Sequence, residues 1–129
     1  CELLLVSGGV GITPLRAILH AAARTPAKRV HFYHGARTRE DLFWTDEWKA
    51  LQERFPHWRF TLALSHEPDG SDWDGPRGFV HEVVDATWEP SGAVQVFLCG
   101  PPAMVSKLEE ALMQAGVPAA QVHHELFGW

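Results

Sequence analysis

The feature that most constrains the fold is a short apolar run that ends in a glycine-rich turn and leads directly into a helical pattern. Residues 2–7 are almost continuously apolar, and the sequence of residues 8–14 is Gly-Gly-Val-Gly-Ile-Thr-Pro. A continuous apolar run is typical of a parallel strand buried on both faces. Thr13 followed by Pro14 predicts a helix with Thr13 as its N-cap. The order of strand, tight turn and helix predicts the first unit of an α/β domain.

The same alternation continues along the chain. Further strands are predicted at residues 29–34, 59–65, 94–99 and about 121–126, and helices at about 14–25, 38–55, 78–86 and 102–115. The second helix is predicted to begin at Thr38, which with Asp41 resembles a capping box. The pattern predicts a doubly wound, five-stranded parallel sheet with strand order 3-2-1-4-5 and helices on both faces. In such a sheet, ligands bind beyond the carboxyl ends of the strands where the order reverses, which is between strands one and four.

Composition excludes several classes of protein. The chain has 129 residues, enough for one domain, and its formal charge of −5 does not favour nucleic-acid binding. No apolar run approaches the roughly 20 residues of a membrane span. The two cysteines form no Cys-x-x-Cys pair, and adjacent His123 and His124 point to opposite faces of a strand, so no metal site is predicted. Because the chain begins almost directly on an apolar strand, we expect it to be the C-terminal part of a longer polypeptide.

The glycine-rich turn is a candidate phosphate-binding site. Glycines let the backbone turn sharply and leave room for a diphosphate, and the N-terminus of the following helix supplies unpaired N–H groups. A tight connection without a ligand is the simpler alternative. Proline occupies the place of the third glycine of a dinucleotide fingerprint, and no lysine is present for an ATPase loop. The candidate residues are Gly8, Gly9, Val10, Gly11, Ile12, Thr13 and Pro14.

Three further strand ends are expected to meet this turn. The fourth strand ends at Cys99-Gly100-Pro101, where Cys99 is either a small buried hydrophobic residue or a thiol beside a flat ligand ring. Strand two ends at Gly35-Ala36-Arg37 and strand three at Ser65-His66. An acid at the end of strand two holds the ribose in conventional dehydrogenases, and its absence here argues against that class. Arg37 and Arg39 are instead candidates for phosphate contact, and the alternative is that they are solvated surface residues, as arginines in a loop more often are.

Together these motifs resemble the ferredoxin–NADP reductase superfamily, and most closely its bacterial oxygenase reductases and the flavin subunit of sodium-translocating NADH:quinone reductase. The resemblance covers nearly the whole chain through residues 8–14, 35–38, 41–43, 78–81 and 99–102. It implies that residues 1–129 are the NAD(P)-binding domain of a flavoprotein oxidoreductase, with an FAD-binding domain upstream. It also implies hydride transfer from NAD(P)H to FAD, onward electron transfer to an iron–sulfur domain or protein, and a location in the cytoplasm or on the cytoplasmic face of a membrane complex.

The resemblance also implies a role for individual residues. The turn from Gly8 to Thr13 would hold the pyrophosphate, with Thr13 near the nicotinamide. Cys99 would lie beside the nicotinamide C4, in a pocket shaped by Gly100 and Pro101, with Met104 packed nearby. Phe127, or as second choice Trp129, would be the C-terminal aromatic residue that covers the flavin.

The expected nucleotide is NADH. Relatives that use NADPH often have Ser-Arg after strand three, whereas this chain has Ser65-His66. A neutral imidazole holds a 2′-phosphate less well than a guanidinium does. NADPH stays open because of Arg37 and Arg39.

Two alternatives belong to other functional classes. A non-catalytic nucleotide-sensing or regulatory α/β module is compatible with the same fold, because fold alone does not fix function. A small signalling receiver with an empty switch point needs acids at the end of strand one. Ser7-Gly8-Gly9 offers none.

Overall fold

A computed structural model of the chain describes residues 2–9, 12–24, 29–42, 44–90 and 93–126, of which 125 and 126 are described by their backbone alone. The five strands are β1 (Glu2–Gly8), β2 (Arg29–Ala36), β3 (Arg59–Leu64), β4 (Val94–Gly100) and β5 (Val122–Leu126), and the four helices of that part of the chain are α1 (Ile12–Ala23), α2 (Thr45–Arg54), α3 (Val80–Thr87) and α4 (Pro102–Gln114). All neighbouring strands pair in parallel, in the order β3-β2-β1-β4-β5. The predicted fold class and strand order are confirmed.

The strand β1 shows why the sheet is covered on both sides. Leu3 and Leu5 join the core on the side of α1 and α2, whereas Leu4 and Val6 join the core on the side of α3 and α4. All four are nearly inaccessible to water. Burying each such aliphatic side chain stabilises the fold by about 1.5–3 kcal/mol relative to exposure, and this favours two helical layers over one.

The helices meet the sheet through one apolar stripe each. Leu15, Leu19 and Ala22 are the buried residues of α1 beyond its first residue, and they recur at helical spacing. Met104, Val105, Leu108 and Leu112 form the corresponding buried stripe of α4. Gly116 follows α4 with φ of +90°, which is the left-handed conformation that commonly ends a helix.

The predicted second helix is wrong in its first third. Thr38 and Asp41 do bond as the pattern suggests, with the Thr38 hydroxyl donating to Asp41 Oδ2 at 3.0 Å. This bond closes only a single 3₁₀ turn, Arg39–Asp41. Leu42 is extended, Trp44 has φ of +54°, and α2 begins at Thr45. A local capping pattern therefore formed a turn in the loop, and helix α2 starts only where Trp48 can be buried.

The first helix also differs from the prediction at its start. Thr13 is not the N-cap, because the backbone is already helical at Ile12. The Ile12 side chain is buried in the core below the turn, and this burial draws the residue into the helix.

Among the described residues, no helix combines the length and hydrophobicity that a membrane span requires.

Candidate functional site

A cleft of about 820 Å³ lies at the carboxyl ends of β1, β2, β3 and β4, on the side covered by α3 and α4. It includes the end of β1, next to which the strand order reverses. The cleft brings together nine of the predicted binding residues: Gly8, Gly9, Gly35, Ala36, Arg37, Ser65, His66, Pro101 and Met104. It also contains seven residues that were not predicted as site residues: Asp41, Gly78, Phe79, Val80, His81, Ala103 and Lys107.

Glycines at the crossover allow the ends of β1 and β4 to approach each other closely. A Cβ atom at Gly100 would lie 3.2 Å from the Gly8 nitrogen and 2.8 Å from Met104 Cε. A Cβ atom at Gly8 would lie 2.6 Å from Met104 Sδ. Met104 therefore packs across both glycines, and the backbone itself forms this part of the cleft.

Gly9, the first residue after β1, has the left-handed backbone conformation that is common where a backbone turn binds an anion. Gly9 has φ of +57°, where a side chain causes strain, and a Cβ atom added there would meet no described atom within 4 Å. The turn is followed by α1, whose 12 residues begin at Ile12, so that unpaired N–H groups and the positive end of the helix dipole face this edge. Val10 and Gly11 lie outside the described residues.

The ends of β2 and β3 are joined by main-chain hydrogen bonds. Ser65 N donates to Ala36 O at 3.0 Å, and His66 N donates to Arg37 O at 2.8 Å. The Ser65 hydroxyl and His66 Nδ1 are 2.6 Å apart. Gly35 is required by packing, since its Cβ would lie 2.7 Å from Val80 Cβ of α3. Main-chain hydrogen bonds therefore hold the ends of these two strands together in this part of the cleft.

An exposed aromatic group forms one side of the cleft, and we call His66, Phe79 and His81 the aromatic wall. The Phe79 side chain is 53% exposed. Its ring is stacked with that of His81 at 5.9 Å and 15°, and it meets His66 edge-on at 6.0 Å. The half-exposed face of the Phe79 ring suits contact with a planar heterocycle. One sequence signal was available, because Phe79 and His81 belong to the Gly78-Phe79-Val80-His81 motif that carries part of the family resemblance.

Charged side chains are placed around the cleft with mixed sign. Arg37 and Lys107 contribute positive charge from opposite sides, and Asp41 contributes negative charge. Asp41 uses Oδ2 to accept hydrogen bonds from the Thr38 backbone and hydroxyl. Arg39, the other candidate for phosphate contact, pairs instead with Asp72.

Cys99 and Thr13, two of the residues predicted to lie near the nicotinamide, are on the other side of the sheet edge, whereas Pro101 and Met104 line the cleft. Cys99 is 1% exposed and belongs to the core beneath α1 and α2, in register with Ser7. Ile12 is buried in the same core, while Thr13 is exposed in the first turn of α1 and Pro14 is half-buried. Phe127 and Trp129 lie outside the described residues. The roles of these residues remain predictions.

A buried polar pair lies directly below the glycine-rich turn. Ser7 Oγ and His34 Nδ1 are 2.8 Å apart, and neither side chain is accessible to water. Burial lowers the pKa of His34 to about 4, and the hydrogen bond with Ser7 opposes this only partly. His34 is therefore uncharged near neutral pH and adds no positive charge to the anion site.

The two histidines considered for a metal site contact different elements. His123 Nε2 lies 3.0 Å from Gln95 Oε1, and its ring stacks on Phe97. His124 Nδ1 lies 3.3 Å from Glu109 Oε2 of α4. Within the described part of the chain, no group of three or more potential metal ligands comes together.

Comparison with known proteins identifies the family. The chain is 34% identical over 129 residues to the reductase component of propane 2-monooxygenase from Rhodococcus jostii (strain RHA1), a match that covers 97% of this chain and 35% of that protein. It is 30% identical over 133 residues to a subunit of the Na⁺-translocating NADH-quinone reductase of Pasteurella multocida (strain Pm70), covering 98% and 33%. The chain thus spans about a third of the length of these relatives.

A solved structure supports the same family. The cytochrome P450 reductase GcoB of Amycolatopsis superposes with a TM-score of 0.86 at 34% identity, covering 98% of this chain and 37% of that one. The family model of the oxidoreductase NAD-binding domain matches residues 5–110. This match includes the glycine-rich turn, the aromatic wall and the Cys99-Gly100-Pro101 segment. The chain belongs to the oxidoreductase NAD-binding domain family.

Proposed function

We propose that the cleft binds NADH and presents its nicotinamide to an FAD held by another domain of the same polypeptide. The electrons then pass to an iron–sulfur domain or protein, or to another acceptor, in the cytoplasm or on the cytoplasmic face of a membrane complex. The observation that carries the proposal is the glycine-lined cleft at the adjacent carboxyl ends of β1 and β4, next to the N-terminus of α1. Membership of the NAD-binding family supports it.

The residues present suit a dinucleotide laid across the sheet edge. The aromatic wall offers a stacking surface for the adenine. Gly8, Gly9 and the start of α1 offer N–H groups and open space for the pyrophosphate. The nicotinamide then extends past the ends of β1 and β4, toward Thr13 and Cys99. In this arrangement the adenosine lies in the cleft and the nicotinamide lies on the opposite side of the sheet edge.

The chain contributes position and electrostatics to the reaction. A flavin bound to the neighbouring domain would supply the hydride acceptor and the onward one-electron chemistry, and this chain would supply the binding and orientation of the nicotinamide. Holding the nicotinamide in a reactive orientation converts the transfer into an effectively unimolecular step. Hydride transfer itself requires no general base. Cys99 is proposed to align the nicotinamide ring rather than to react with it.

Selectivity for NADH over NADPH is proposed to come from Asp41 and His66. The Asp41 carboxylate lies in the cleft with the ends of β2 and β3, where the adenosine ribose would be bound. A carboxylate repels a 2′-phosphate and accepts hydrogen bonds from ribose hydroxyls. Asp41→Asn should narrow the preference for NADH about fivefold, as expected for loss of one partly solvated charge contact. Asp85→Asn, an exposed acid of α3, should leave the preference unchanged.

The proposal is tested by calorimetric titration of the chain with NADH, NADPH and ADP-ribose. ADP-ribose is included because it lacks the nicotinamide and needs no flavin to complete its site. We expect saturable binding of NADH and ADP-ribose, weaker binding of NADPH, and loss of all three in Gly9→Glu, which adds negative charge and a strained side chain to the turn. Tighter binding of NADPH than of NADH would indicate that Arg37 contacts the 2′-phosphate and sets the preference. If neither NADH nor ADP-ribose binds, the proposed site is refuted.

A further inference from the structure

The loop between β3 and α3 connects two parts of the aromatic wall. It leaves the sheet at His66 and returns at Gly78 and Phe79, all of which line the cleft. Its two ends are joined by main-chain hydrogen bonds from Leu64 N to Pro76 O at 3.2 Å and from Gly78 N to Leu64 O at 2.9 Å. The spacing between His66 and Phe79 therefore depends on the conformation of this loop.

The Arg77 side chain is exposed, yet it makes four hydrogen bonds to this loop. Its Nη1 donates to Glu67 O at 3.0 Å and to Pro68 O at 3.2 Å. Its Nη2 donates to Ser71 Oγ at 3.2 Å and to Trp73 O at 3.1 Å. A planar guanidinium with several fixed donors can make all four bonds at once, and a lysine ammonium with three donors cannot. Arg77 precedes Phe79 by two residues, so these bonds act directly beside the aromatic wall.

Arg39 links the same loop to the segment after β2. Its backbone nitrogen donates to Glu67 Oε1 at 3.0 Å, and its guanidinium pairs with Asp72. The guanidinium carbon lies 5.7 Å from the centre of the Trp73 ring. Each contact is solvent-exposed and weak when taken alone. Together with Arg77, however, they attach the loop at several points, and we call Arg39 and Arg77 the arginine bracket.

We propose that the arginine bracket positions the aromatic wall for the adenine of the dinucleotide and so sets nucleotide affinity without contacting the nucleotide. This inference rests on the proposed function, since it requires that the adenosine binds in this cleft. A loop held in one conformation spares the ligand the cost of ordering it. Without the bracket, only a fraction of molecules present a competent wall, and the apparent affinity falls by that fraction.

The test compares Arg77→Ala and Arg77→Lys with the unaltered chain by titration with NADH and ADP-ribose. Both variants should bind both ligands about tenfold more weakly, as expected when one ordered loop is lost. Arg39→Gln keeps the backbone bond to Glu67 and should weaken binding by a smaller factor. Arg29→Ala removes an exposed arginine at the opposite end of β2 and should bind like the unaltered chain.

A kinetic measurement on the flavin-loaded reductase separates positioning from damage to the fold. Arg77→Ala should raise KM for NADH about tenfold while kcat at saturating NADH stays unchanged, because the nicotinamide end is intact. Amide hydrogen exchange should accelerate in residues 67–73 and remain unchanged in the five strands.

The outcomes distinguish the two proposals. If the unaltered chain binds neither ligand, the proposed function fails. If it binds both and Arg77→Ala binds them equally well, the bracket is refuted while the nucleotide site stands. Loss of kcat in proportion to the rise in KM would also refute the bracket, since a role confined to the adenosine end leaves the chemical step untouched.

Discussion

The buried pair of His34 and Ser7 makes the free energy of unfolding depend on pH. His34 is inaccessible to water, and Ser7 Oγ is its one hydrogen-bond partner among the described residues. Its pKa falls from the ordinary 6.5 to about 4 because burial disfavours the imidazolium. In the unfolded chain the same imidazole titrates near its ordinary value.

The sign and size of the effect follow from this difference. Between pH 6.5 and 4 the unfolded chain binds a proton that the folded chain does not, so the free energy of unfolding falls as the pH falls. The loss is fully absent well above pH 6.5 and complete below pH 4. Linkage with these two pKa values gives a loss of about 2 kcal/mol between pH 7 and pH 5, and of about 3 kcal/mol in total.

The assay is urea unfolding of the chain and of His34→Asn at pH 7, 6 and 5. Because the other titrating groups are shared, their contributions cancel in the difference between the two proteins. The advantage of the unaltered chain over His34→Asn should shrink by about 2 kcal/mol from pH 7 to pH 5. A difference that stays constant over this range would show that His34 titrates normally, and the argument from burial would then be wrong.

Three further predictions concern the cleft and its supports. Phe79→Ala should weaken NADH binding in calorimetry about tenfold through loss of stacking, whereas Met113→Ala, equally apolar and exposed on α4, should not change it. Cys99→Ala should slow flavin reduction in the whole reductase about a hundredfold with little change in the Kd for NADH, and equal losses in both would contradict an aligning role. Gly35→Ala should lower the free energy of unfolding by about 1–3 kcal/mol because its Cβ would collide with Val80, while Gly70→Ala, with no neighbour within 4 Å, should be nearly neutral in the same urea titration.

The sheet and its order were predictable because their signals are local and repeated. The three central strands are rich in apolar residues and have a glycine at or next to their last position, and each is followed by a helical pattern, which favours a parallel sheet with crossovers on both faces. The carboxyl ends at Gly8, Gly35 and Gly100 then had to meet at one edge. This is why nine of the predicted binding residues lie in one cleft.

What the sequence did not predict depends on contacts between distant segments. Thr38 and Asp41 carry a helix-start pattern, yet the helix begins later, where burial of Trp48 decides its register. Phe79 precedes α3 and Lys107 lies in α4, and no periodicity in the sequence brings both to one cleft. Arg39, a phosphate candidate by sequence, has its guanidinium paired with Asp72 across a loop. Charge type was visible in the sequence, but its partner was not.

The glycines and the aromatic wall differ in how much they say about function. Gly8 and Gly100 are needed for Met104 to pack across the crossover, and Gly35 is needed for Val80, so packing alone would preserve all three. Packing does not explain the position of Phe79, since burying its half-exposed ring would stabilise the fold by about 1 kcal/mol or more. The fold instead holds that ring at the cleft, next to a loop attached by two arginines. The adenosine end of the cleft is therefore where binding is separable from folding, and substitutions there test function most directly.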